Sequence, residues 1–171
     1  MRSMAQRSNR CCECRNNSGS GLYQGGSFCQ RLRTSKKGLR WQLGVWDRMS
    51  PIYLREVDNR FTEVVDGVIR RGALRPGQQV LDLGTGTGSV AVKAASLVRR
   101  GGNVTALDIS PEMLGIARLR AAGLGLGNIT FLEGRAEEIP AHPGRFDVVL
   151  ASLSVMYVID RATTAHEIAR A

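Results

Sequence analysis

Three alternating glycines at the end of an apolar run leave this chain little choice of fold. Residues 80 to 88 read Val80-Leu81-Asp82-Leu83-Gly84-Thr85-Gly86-Thr87-Gly88, and Asp108 follows twenty residues after Gly88. A strand that empties into a glycine loop, then a helix, then a second strand closed by a carboxylate, is the opening unit of a parallel α/β sheet. Glycine lets the main chain take turns closed to other residues and lets a ligand come close. An acid placed about 20 residues further on is in position to accept hydrogen bonds from ribose hydroxyls. The layout therefore predicts a socket for an adenosine-bearing cofactor. Glycine register then separates the cofactors. Gly84, Gly86 and Gly88 give G-x-G-x-G, whereas the dinucleotide fingerprint G-x-G-x-x-G needs a glycine where Ser89 stands.

Further segments extend the pattern. Thr105-Ala106-Leu107-Asp108-Ile109-Ser110-Pro111-Glu112-Met113-Leu114 and Phe131-Leu132-Glu133-Gly134-Arg135-Ala136-Glu137-Glu138-Ile139-Pro140, taken with the glycine loop, resemble class I S-adenosylmethionine-dependent methyltransferases. The branch they are most similar to contains the small-molecule methyltransferases that include the ubiquinone and menaquinone C-methylating enzymes. The resemblance runs from about Trp46 to Ala171 and implies a Rossmann-like, doubly wound sheet, S-adenosyl-L-methionine as cofactor and a small-molecule acceptor.

Charge is unevenly placed. The chain of 171 residues carries a formal +9, but residues 1 to 46 hold nine Arg or Lys against Glu13 alone, a local +8, and the remainder is nearly neutral. The basic balance thus belongs to a tail and makes no case for nucleic-acid binding by the domain. All four cysteines, Cys11, Cys12, Cys14 and Cys29, lie in that tail. Cys11 and Cys14 form C-x-x-C, but a zinc site needs four placed ligands and the first histidine is His142, so no metal is expected. The cysteine-free domain gives no sign of an oxidising compartment, and a cytoplasmic location is the expectation. No apolar run approaches the ~18 residues of a membrane span.

Residues 1 to 44, rich in Arg, Ser, Gly and Asn, are expected to be a disordered basic tail, and residues 45 to 171 the methyltransferase domain. An Arg- and Ser-rich, acid-poor beginning also matches a transit peptide in composition, or a start assigned too far upstream. Apolar residues at helical spacing between Leu54 and Arg71 predict a helix against the sheet. Strands are expected at Gln79 to Leu83, Val104 to Asp108, Ile129 to Glu133 and Phe146 to Ser152. Helices are expected from Ser89 to Arg99, from Pro111 to about Ala122 behind a Ser110 cap, and from Thr163 onward. Right-handed crossovers favour the strand order 3-2-1-4. The resemblance implies three further strands, so the chain reads as the cofactor-binding half, a fragment of a longer protein. The acceptor, the atom methylated and the oligomeric state are not legible.

The resemblance assigns roles along the strand ends. Gly84, Thr85, Gly86 and Gly88 would admit the amino-acid part of the cofactor, with Asp82 near its ammonium group or capping the loop. Asp108 would hold both ribose hydroxyls and Ile109 would lie on the adenine face. Ala136 would offer its N–H to the adenine ring. Arg135 replaces the usual acid and has only donors, which leaves Glu137 as acceptor for the adenine amine. Ser152 lies where the fourth strand passes the cofactor. Tyr53, after the Trp46-Asp47 pair, lies near the cofactor mouth or simply packs. Met156-Tyr157 stands where the branch often has histidines, and Tyr157 is the one catalytic candidate. His142 and His166 are lone histidines. Two other readings remain open at this level: an NAD-binding oxidoreductase domain and a non-catalytic remnant.

Overall fold

The computed structural model describes residues 26–171, with side chains described from residue 37 onward. It begins with helix α1 (Gly26–Ile52), a π-helical turn (Tyr53–Val57) and helix α2 (Thr62–Gly72). Strands and helices then alternate: β1 (Gln79–Leu83), α3 (Ser89–Val98), β2 (Asn103–Asp108), α4 (Pro111–Gly123), β3 (Ile129–Glu133) and β4 (Val148–Leu150). A 3-10 turn (Val155–Tyr157) and helix α5 (Arg161–Arg170) follow. The four strands form one parallel sheet in the order β3-β2-β1-β4, as expected from right-handed crossovers.

β1 sits in the middle, paired with β2 from Gln79↔Asn103 to Leu83↔Leu107 and with β4 from Val80↔Val148 to Asp82↔Leu150. Its side chains are buried on both faces, which is why it reads as a continuous apolar run. Val80 joins Val65, Val90, Ala94, Val98 and Val104 in the core shared with α2 and α3. Leu81 and Leu83 point the other way, with Leu107, Ile139 and the partly buried Phe146 and Ile168. Helix α4 starts where sequence chemistry places it: Ser110 Oγ accepts from the Met113 N–H at 3.1 Å, and Pro111 occupies the first turn.

Three expectations need correction. The tail expected to be disordered is only partly outside the description: residues 1–25 are not described, but residues 26–44 form the first part of α1, which runs through the expected boundary at 44/45. Gly38 and Gly44 lie inside that helix, where each costs about 1 kcal/mol relative to Ala. The offset is tertiary: Leu39, Gln42, Leu43, Trp46 and Met49 are half-buried at helical spacing and Ser50 is buried. The helix expected from Leu54 to Arg71 is broken. Pro51, in the last turn of α1, lacks the N–H that turn would use, and the backbone widens into the π-helical turn before α2 begins at Thr62. Finally, β4 is shorter than Phe146 to Ser152, because the chain leaves the sheet into Leu153, whose φ of 55° is left-handed.

Candidate functional site

Every loop at the C-terminal ends of β1, β2, β3 and β4 meets in one cleft, the location expected for ligands in an open parallel sheet. Its floor is Leu83, Gly84, Gly86, Leu107, Asp108 and Ile109, and Gly134, Ala136 and Glu137 close one side. Ser152 to Val155 and Tyr157 close the other, while Leu39, Gln42, Trp46 and Tyr53 form a roof.

The glycine loop is built by hydrogen bonds to β2. The N–H groups of Gly84 and Thr85 both donate to the Leu107 carbonyl, at 2.8 and 3.0 Å. The Gly86 N–H donates to Asp108 Oδ2 at 2.8 Å, and the Ser110 N–H to Asp108 Oδ1 at 2.9 Å. These bonds fix the Asp108 carboxylate against the loop at the edge of the cleft that it lines. Burial raises the Asp108 pKa, against the lowering effect of N–H groups from Ser110, Gly86 and Ile109. Gly86, at φ 55°, has open space where a Cβ would stand, so bare main chain faces the cleft there. At Gly84, φ 69°, a Cβ would lie 2.4 Å from the Ser154 Cβ. That glycine is needed for a protein contact: Ser154 Oγ donates to the Leu83 carbonyl at 2.6 Å, locking the exit of β4 onto β1.

Of the residues singled out from sequence, Tyr53, Gly84, Gly86, Asp108, Ile109, Ala136, Glu137, Ser152 and Tyr157 line the cleft. Asp82, Thr85 and Gly88 do not. Asp82 is fully buried beneath the loop, where Thr85 Oγ1 donates to its Oδ2 at 2.6 Å. Burial pushes its pKa up to about 7, with the Thr85 hydroxyl and the Ala91 N–H opposing and Asp108 adding to the rise. Its place is that of a carboxylate supporting the loop. Gly88 faces α4, and a Cβ there would stand 3.0 Å from the Ala117 Cβ, so it serves helix packing. His142 and His166 are not among the lining residues.

Glu137 lines the cleft but is already engaged. Its Oε1 accepts from the N–H groups of Ile159 (2.8 Å) and Asp160 (3.4 Å), and its Oε2 lies 3.4 Å from Arg135 Nε. Burial acts to raise its pKa, but the Ile159 N–H, its own N–H and Arg135 outweigh it and the net shift is downward. The Glu137 carboxylate thereby ties the segment after the 3-10 turn to the end of β3.

Three aromatic rings shape the roof and the wall beside it. Trp46 stands edge-on to both Tyr53 (6.3 Å between ring centroids) and Tyr157 (5.0 Å), and Gln42 Nε2 donates to the Tyr157 carbonyl at 2.7 Å. Trp46, Tyr53 and Tyr157 are legible in the sequence; Leu39 and Gln42 of α1 are not. Asp47 itself faces inward, accepting from Ser110 Oγ at 2.6 Å.

With this geometry in view, the comparisons agree. The methyltransferase-domain family model matches residues 80–171, more than half of the chain. The ubiquinone/menaquinone biosynthesis C-methyltransferase of Psychromonas ingrahamii is 35% identical over 103 residues, covering 60% of this chain and 39% of the relative. The nocamycin O-methyltransferase of Saccharothrix syringae is 36% identical over 128 residues, covering 74% of this chain and 43% of the relative. A SAM dependent methyltransferase of Aquifex aeolicus superposes with a TM-score of 0.63 at 24% identity, over 70% of this chain and 65% of that one, a likeness of fold. The chain spans well under half the length of these two curated relatives.

Proposed function

Because this chain belongs to the methyltransferase-domain family, and within it is a class I, S-adenosylmethionine-dependent methyltransferase similar to the quinone C-methylating enzymes, we propose that its cleft binds S-adenosyl-L-methionine and presents the methyl group to a small-molecule acceptor entering beneath the aromatic roof. One observation carries the reading: open space before the bare main chain of Gly86, with the Asp108 carboxylate held beside it by that same residue's N–H. These residues suit the cofactor. Carboxylate oxygens accept from a ribose diol, and a glycine without a Cβ gives room for the amino-acid tail.

S-adenosylmethionine supplies a methyl group already activated on a sulfonium, so the protein's part is alignment. Orientation of that kind is worth about 7–11 kcal/mol of barrier. On this reading Asp108 fixes the ribose, Ile109 and Ala136 flank the adenine, and Gly84 and Gly86 border the methionine portion. Asp82 and Thr85 keep the loop in shape from behind. Trp46, Tyr53 and Tyr157 shut out water and set the angle at which an acceptor approaches, in line with the breaking bond. Ser152 borders the path between the two ligands. With Glu137 occupied, adenine selection falls to the Ala136 N–H and to shape. Among charged residues described at the cleft only Asp108 and Glu137 occur, which favours an acceptor without an anionic group at the reacting end. The dinucleotide reading lacks its third glycine and is displaced by the family match. A cytoplasmic site of action is consistent with the family; among the described residues no helix is long and apolar enough to cross a membrane.

Calorimetric titration of the chain with S-adenosyl-L-methionine, with NAD as control, tests the proposal. Binding of the sulfonium compound alone is expected. Asp108→Ala should weaken it at least tenfold, as expected for removing hydrogen bonds to a charged group worth about 1.5–3 kcal/mol. A folded chain that takes up no S-adenosylmethionine would overturn the proposal.

A further inference from the structure

Asp58 lies outside the cleft, yet its side chain is only 8% exposed and paired with Arg120. Its Oδ2 accepts from Thr87 Oγ1 at 2.7 Å and from the Arg120 guanidinium at 2.7 Å. Thr87 stands between Gly86 and Gly88 in the glycine loop and is itself buried. Arg120 reaches from α4 and also donates to Ser89 Oγ, at 2.9 Å, in the first turn of α3. A buried carboxylate held by two donors from two different elements is costly to place and strongly directional.

The main chain links this anchor to the roof. The Asp58 N–H donates to the Tyr53 carbonyl at 3.0 Å and closes the π-helical turn that carries Tyr53. Burial raises the Tyr53 pKa, and the next cause is the Asp58 charge. On the other side of Tyr53, Asp47 is anchored to Ser110, two residues after Asp108. Tyr53 therefore hangs between two carboxylate anchors, one on the loop that holds Gly86 and one on the loop that holds Asp108. Such double fixing is how a ring on an irregular segment keeps a defined position over a ligand.

We propose that Asp58 is a positioning residue for cofactor binding: through Thr87 and Arg120 it ties the π-helical turn to the glycine loop and so holds Tyr53 over the bound S-adenosylmethionine. This rests on the reading of the cleft given above. The coupling is local and mechanical. When the glycine loop has the shape that admits the ligand, Thr87 is where Asp58 needs it.

A double-mutant cycle on cofactor affinity, measured by calorimetry with the full chain, tests the idea. Asp58→Ala and Tyr53→Ala should each weaken S-adenosylmethionine binding tenfold or more. The double variant should bind within twofold of Asp58→Ala, because Tyr53 no longer acts once its anchor is gone. Asp58→Asn should restore most of the affinity, since an amide oxygen can accept from both Thr87 and Arg120. If Asp58→Ala does not fold, Thr87→Val replaces it in the cycle and removes only the hydroxyl. Three results would overturn the proposal: multiplicative losses, a Tyr53→Ala variant with wild-type affinity, or an anchor variant that melts earlier yet binds within twofold of wild type. Absence of binding by the folded wild type would instead refute the cofactor reading, and this inference would fall with it.

Discussion

Replacing Asp82 by Asn should remove a pH dependence that burial has built into the fold. Asp82 is 1% exposed, and its carboxyl is raised from 3.8 to about 7 by desolvation, with the Thr85 hydroxyl and the Ala91 N–H only partly offsetting. In the unfolded chain it titrates near its ordinary value, so between those two pH values the folded state holds a proton that the unfolded state has released. Stability from this group is therefore complete below pH 4 and is lost as pH rises through about 7. A rise of about three units at ~1.36 kcal/mol each gives about 4 kcal/mol over the whole window. About 2–3 kcal/mol of that falls between about pH 5 and 8, by the same linkage. Asn resembles the protonated acid in shape and hydrogen bonding and does not titrate. Urea denaturation of both proteins across this range should show the wild type losing about 2–3 kcal/mol more than Asp82→Asn between about pH 5 and 8. Asp108 is raised by burial in both proteins and cancels in the comparison. Parallel stability profiles would refute the reasoning, since they would mean that Asp82 is ionised throughout.

Two further substitutions probe the loop geometry. Gly84→Ala, at φ 69° and with its new methyl 2.4 Å from the Ser154 Cβ, should lose about 2–4 kcal/mol in thermal or urea unfolding and weaken cofactor binding. Wild-type stability would show that the exit of β4 gives way freely. Leu153→Gly should gain up to about 1 kcal/mol, because a φ of 55° strains leucine and not glycine; a clear loss in melting temperature would mean that the leucine side chain matters more than its backbone.

Legibility from sequence followed the range of the interactions. β1, β2 and β3 were placed well because their apolar runs end at glycines or carboxylates, and Ser110-Pro111 marked the start of α4 through a contact only three residues long. Asp108 and the open glycine loop were equally plain, since one strand–loop–helix unit holds both. Helix α1 was hidden because its glycines and charges argue against a helix locally, while the packing that sustains it comes from distant elements. The same holds for Asp58, whose partners Thr87 and Arg120 are 29 and 62 residues away. No spacing rule links such a pair. Glu137 is legible as a cleft residue, whereas its bonds to the N–H groups of Ile159 and Asp160 are not, because those groups come from beyond the next strand.

The roof and one wall of the cleft come from residues 39–53 and 152–158, whereas Gly86 and Asp108 belong to the first strand–helix–strand unit. If the cleft binds as proposed, donor and recipient meet where two separately encoded parts of the chain converge. On the proposed reading, substitutions in the outer walls would change which acceptor fits while leaving the seat for the nucleoside untouched.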